Sequence, residues 1–195
     1  MDAYIAQNII NSEIVVDKKR TAEKVREGIR ILGKTVQEFA QWFSAPESSD
    51  GVNIQAVSYW CTGKNLMSDN NIKYFASYLG VDIDDLIVFE GEPSKELKQK
   101  YERVDKNVSL DINYIISQEK TGKYIENLMT TNGYSVRELA YIIGVSPVTV
   151  RNWKKGSVPC WTNLKKLSML FGVKMNDIIK LNMDTVELER RMNVF

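Results

Sequence analysis

"GVSPVTVRNWKKG", residues 144 to 156, opens on a glycine-led turn, follows it with a serine and a proline, and closes on a tryptophan, two lysines and a glycine. Ser146 is placed to cap a helix whose first position is Pro147, where the missing backbone N–H would have had no partner in any case. Gly156 is placed to end that helix. Just upstream, "SVRE" at 135 to 138 has the spacing of a capping box, in which Ser135 meets one free backbone N–H and Glu138 reaches back to another. Two helices are therefore expected on either side of the turn at Gly144. Working outward, Thr121 is expected to cap an earlier helix, with Ile125, Leu128 and Met129 at helical spacing and Gly133 at its end. Two more helices fit roughly 161 to 171 and 175 to 181.

The same pattern occurs earlier in the chain. "TVQEFAQWF" at 35 to 43 lies 100 residues before "SVRELAYII", and "GVNIQAVSYWCTG" at 51 to 63 lies 93 before the opening stretch. The register changes by seven residues, which are "SAPESSD" at 44 to 50. "YFASYLGVDIDDLI" at 74 to 87 answers "KLSMLFGVKMNDII" at 166 to 179, and "IVVDKKRT" at 14 to 21 answers "YIISQEKT" at 114 to 121. Self-similarity at a fixed period marks repeated structural units, so each half is expected to be one copy of the same five-helix fold. The expected division is a first domain at 1–90, a helical linker at 91–106 and a second domain at 107–195. In the linker, Leu97, Tyr101 and Val104 form an apolar stripe, supported by Glu96 with Lys100 and Glu102 with Lys106 one turn apart. "VSLDINYII" at 108 to 116 alternates like a strand, and "SEIVV" at 12 to 16 does so more weakly. The fold class is thus all-α, with a short extended segment ahead of each copy. "IVV" and "YII" are expected to pair with each other or to cross onto the opposite domain.

Composition bounds the chemistry. A chain of 195 residues with 44% hydrophobic and 26% charged residues is that of an ordinary folded protein long enough for two small domains. No apolar run approaches membrane-spanning length, and "MDAYIAQNIINSE" lacks the basic start and apolar core of a secretion signal, so a cytoplasmic location and no membrane partner are expected. Cys61 and Cys160 have neither a CxxC spacing nor a histidine to join them, which argues against a zinc site and a disulfide framework. The chain has no histidine at all, and neither a phosphate-binding glycine loop nor a nucleophile elbow is present. No catalytic residue, metal or cofactor is expected.

The repeated unit, with its two helices joined at a glycine turn, its Trp-x-x-Gly ending and its "LFGVKMNDII" close, resembles the lambda-repressor-like helix-turn-helix family of the Cro and xenobiotic-response-element type. The resemblance covers about 121 to 181 well and 21 to 88 less well. It implies two tandem domains and double-stranded DNA as partner, with the third helix of the unit in the major groove. It also implies that Val150 and Trp153 face the core while Pro147, Val148, Arg151 and Asn152 face outward. Arg151 would then pair with guanine, Asn152 with adenine, and Val148 would touch a thymine methyl. Pro147 departs from the polar residue common at that position. Ser135, Ser146, Lys154, Lys155, Lys165 and Lys166 would contact phosphates, which positions a protein without specifying sequence.

The two copies differ in charge. Residues 121 to 183 carry nine Lys and Arg against three Asp and Glu, a balance of +6, whereas residues 21 to 90 carry six against ten, or −4. Phosphate neutralisation drives much of DNA affinity, so the second copy is the better suited. The outward positions of the first copy become Ile54, Gln55, Ser58 and Tyr59, of which Gln55 retains the chemistry to read adenine. The acidic "DIDD" at 82 to 85 and aromatics expected at the surface equally suit a protein partner. The expected function is sequence-specific DNA binding, as in a transcriptional regulator, with homodimerisation left open. The competing reading is a protein-binding inhibitory module, antitoxin-like or antirepressor-like, on the same scaffold.

Overall fold

The computed structural model describes residues 3–43, 52–93, 97 and 116–180. The insertion at 44–50, nearly all of the expected linker helix and the alternating segment as far as residue 115 lie outside the described residues. Those described divide into two compact units, one holding 16–43, 52–93 and Leu97, the other 3–15 with 116–180.

In the unit that contains 116–180, the helix cap expected at Thr121 falls four residues earlier, at Ser117. Helix α1 runs Ala3–Asn11, α7 Gln118–Thr131, α8 Val136–Ile143, α9 Pro147–Lys154, α10 Trp161–Phe171 and α11 Met175–Ile178. The cap of α7 is Ser117, whose hydroxyl accepts from Lys120 N at 3.1 Å. Thr121 is fully buried and its hydroxyl accepts from Lys180 N at 2.9 Å, while Ser117 N donates to Lys180 O at 2.8 Å. The threonine thus closes the unit by tying its last turn to its first helix. Helix α9 packs on α7 and α8, and α10 packs on α8 and α11. Ile125, Leu139, Val150, Trp153, Leu164, Leu167 and Ile178 meet in the core.

Helix α1 has no counterpart in the sequence reading. It packs on α8 and α10 and buries Ile9 completely. Nine residues are too few for a stable isolated helix, so docking holds it in shape.

The other unit has α2 at Lys18–Ile31, α3 at Val36–Trp42, α4 at Ile54–Thr62, α5 at Asp69–Leu79 and α6 at Ile83–Leu86. Here too a capping box starts the second helix, with Thr35 Oγ1 accepting from Glu38 N at 3.2 Å and Glu38 Oε2 accepting from Thr35 N at 2.7 Å. The same closure recurs: Asp17 N donates to Val88 O at 2.8 Å, and Val88 N to Thr21 Oγ1 at 3.0 Å. Val16 makes an isolated antiparallel bridge with Phe89, inside its own unit. The expectation that "IVV" pairs with "YII" or crosses onto the opposite domain falls partly on residues 114 and 115, outside the described residues; Val16 itself is bridged to Phe89. The aromatics of this half form a core and not a surface. Phe39 stacks on Phe43 at 4.7 Å and meets Phe75 edge-on at 5.3 Å, while Trp60, Tyr74 and Tyr78 are buried around them. Among the described aromatics of this unit, Trp42 and Tyr59 are partly exposed.

Candidate nucleic-acid interface

Local chemistry sets the two helices around Gly144. Ser135 Oγ accepts from Glu138 N at 3.2 Å and Glu138 Oε2 accepts from Ser135 N at 2.8 Å, so both halves of the capping box fix the start of α8. These hydrogen bonds hold the Glu138 carboxyl below its ordinary range. At the other end Gly144 adopts a φ of 81°, a left-handed conformation that a side chain would strain, and its N–H reaches back to Ala140 O. The chain then reverses into Ser146, whose hydroxyl accepts from Thr149 N at 3.1 Å to start α9, with Pro147 at its first turn. Lys166 Nζ donates to Ile143 O at 2.8 Å, supplying a partner to a carbonyl that the end of α8 leaves open.

This packing turns one face of α9 outward. Val150 and Trp153 are buried, whereas Val148, Arg151, Asn152 and Lys155 are exposed and Pro147 is half-buried. Val148 leaves 58% of its surface open, which makes it available to an apolar contact. Among the described residues, the side chains of Arg151 and Asn152 make no hydrogen bond or ion pair. Their donors and acceptors therefore face solvent on adjacent positions of one helix.

The residues expected at phosphates fall into different situations. Lys155 is exposed and Lys165 half-buried. Lys154 forms an ion pair with Glu126 at 2.8 Å, and Lys166 holds the end of α8. The hydroxyls of Ser135 and Ser146 are engaged in their caps. Two residues escaped the sequence reading: Arg137 is exposed on α8, and Tyr141, one turn further on, is 72% exposed. Their signal was the helical spacing that puts them opposite buried Leu139, Ala140, Ile142 and Ile143.

On the corresponding helix of the other unit, α4, the outward groups are engaged with each other. Gln55 Nε2 donates to Tyr59 OH at 2.8 Å, and Lys64 Nζ sits 4.1 Å above the Tyr59 ring. Asn53 caps this helix through Ala56 N at 2.8 Å, which no reading of the sequence assigned. Ser58 is exposed, and Ile54 is 51% exposed.

Among the described residues no group of three or more Cys, Asp or Glu is arranged to hold a metal ion, and no helix is long and apolar enough to cross a membrane. No curated protein and no solved structure shows significant similarity to the chain. Residues 124–184, which contain α8, the turn at Gly144 and α9, match the family model of the Cro/C1-type helix-turn-helix DNA-binding domain, so this part of the chain carries a helix-turn-helix domain of a DNA-binding family.

Proposed function

We propose that the protein binds double-stranded DNA sequence-specifically and regulates transcription in the cytoplasm, with α9 as the reading helix in the major groove. The observation that carries this is the outward face of α9, where Arg151 and Asn152 present unengaged donors and acceptors beside the exposed Val148. Arginine matches the two acceptors of guanine, and asparagine the acceptor and donor of adenine. Lys155, Lys165 and Lys166, with the caps at Ser135 and Ser146, lie on the strongly basic half of the chain and are assigned to phosphates. The five helices α2 to α6 within 1–90 and the five helices α7 to α11 within 107–195 are two tandem copies of the same unit, joined by 91–106, with α1 added to the second. The recurrence of the capping box and of the threonine closure supports this. The protein acts by binding and not by catalysis, and as a homodimer it would place two reading helices on neighbouring half-sites.

For the first copy, a protein partner is the better reading. Its balance of −4 opposes phosphate contact, and Gln55 would have to leave Tyr59 to read a base; Ser58 remains the outward residue least engaged. An antirepressor-like or antitoxin-like activity of the whole chain would follow if DNA binding is absent. The test is fluorescence anisotropy of the intact protein with random-sequence duplex at about 50 and 200 mM salt, the range over which phosphate-driven binding falls steeply. Binding at low salt that is lost at high salt supports the DNA reading. Absence of binding at both refutes it.

A further inference from the structure

We infer that Glu126 withholds Lys154 from DNA and pins the C-terminal end of α9 to α7, so that α9 meets phosphates through Lys155 alone. The inference rests on the DNA-binding reading of α9. It begins at Gly122, where the backbones of the two helices touch. A Cβ built on Gly122 would stand 2.6 Å from Lys154 O and 2.9 Å from Trp153 O. Glu126 lies one turn further along α7 on the same face, and its carboxylate is 2.8 Å from Lys154 Nζ.

The other unit bridges the same two places with different chemistry. Arg26, 100 residues before Glu126, donates from α2 to the carbonyl of Cys61, which is 93 residues before Lys154. A charged side chain from the first helix thus holds the end of the third helix in both units, and the sign of its charge differs. The bridging position is what recurs. In the basic unit the choice of glutamate has an electrostatic consequence. The Glu126 and Lys154 pair is neutral, so it brings no net positive charge to a phosphate. Were Lys154 to swing away, the Glu126 carboxylate would be left facing the same anions. Lys154 is also the more enclosed of the two, with 30% of its side chain open against 51% for Glu126. Lys155, next in sequence, is exposed and has no acidic partner among the described residues.

Salt dependence separates the two lysines, because each phosphate neutralised adds about 0.9 to the slope of log affinity against log salt. The intact protein and its variants are titrated with random-sequence duplex by anisotropy between about 50 and 200 mM salt. Lys155→Gln is expected to lower the slope by about 0.9. Glu126→Gln is expected to raise the slope by about 0.9, and adding Lys154→Gln to it returns the slope to that of the parent. Glu119→Gln removes the same charge from α7, where Glu119 pairs with Lys123 at 2.6 Å on the same helix, and is expected to leave the slope unchanged. Equal steepening by Glu119→Gln and Glu126→Gln, or a slope in the Glu126→Gln, Lys154→Gln double variant as steep as in Glu126→Gln alone, overturns the inference. If the parent fails to bind duplex even at about 50 mM salt, the DNA reading falls, and the pin is judged by a double-mutant cycle on thermal stability. Coupling between positions 126 and 154 upholds the pin; its absence overturns it.

Discussion

Gly122→Ala puts the crossing of α7 and α9 to a quantitative test. The new methyl carbon would lie 2.6 Å from Lys154 O, with Trp153 O and Gly156 N both at 2.9 Å. Close carbon to oxygen contacts settle near 3.3 Å or more, so the deficit is about 0.7 Å. All three obstructing atoms are backbone and cannot rotate aside; α9 has to move. Overpacking of this kind costs about 1 to 3 kcal/mol, and the helix preference of alanine over glycine returns about 1 kcal/mol. The upper half of that range is expected because a displaced α9 also loosens buried Trp153, leaving a net loss of about 1 to 2 kcal/mol. For a unit of this size that lowers the melting temperature by roughly 4 to 16 °C. The first unit carries Ala22 at the matching place, so a Cβ is already accommodated at that crossing. Thermal melts followed by circular dichroism decide the matter, with duplex binding measured in parallel. A Gly122→Ala protein that melts at or above the parent temperature would refute the close crossing.

Other expectations follow from the same packing. Ile9→Ala should destabilise the unit that holds the helix-turn-helix by about 2 kcal/mol, the low end for a buried isoleucine because α1 can detach instead of leaving a cavity. A fragment of 107–195 lacks α1 and should melt lower than the same unit in the intact chain; equal melting in both comparisons would show that α1 contributes nothing. Glu138 should titrate below the ordinary glutamate value of about 4.3, because it accepts hydrogen bonds from Ser135 and its caps hold the folded carboxylate. Its folded value is lower than its unfolded value, so the stability it adds is complete above the unfolded value and is lost as pH falls through the lowered one. Carboxyl NMR titration checks this, and an ordinary value in the parent, or no rise in Ser135→Ala, would contradict the capping account.

The part of the fold that sequence made legible is the part written in local chemistry. "SVRE", Ser146 with Pro147, and Gly144 and Gly156 each act on backbone groups within four residues, so the starts and ends of α8 and α9 could be placed from them. The burial of Val150 and Trp153 followed from the family resemblance. Thr121 was misread because a threonine at a helix start caps by default, and its bond to Lys180 N depends on a residue 59 positions away. Helix α1 left no signal: it is uncharged and owes its form to α8 and α10. The pairing of Val16 with Phe89 and of Glu126 with Lys154 are likewise products of tertiary packing. In the first unit, Trp60 was legible as a core residue, while the other aromatic residues have a spacing compatible with either face, and only the fold shows Phe39 and Phe43 turned inward. The outward side of α9 was legible as positions; the engagement of Lys154 and Lys166 was not.

The claim that α9 reads DNA is tested most directly by selection of binding sites from a randomised duplex library, carried out with the intact protein and with Arg151→Ala. The parent is expected to enrich a site containing a guanine that Arg151→Ala no longer selects. At that site the variant should bind about 5 to 150 times more weakly, the equivalent of about 1 to 3 kcal/mol, while its melting temperature is unchanged. Enrichment of the same site with the same affinity by both proteins would contradict the placement of α9 in the groove.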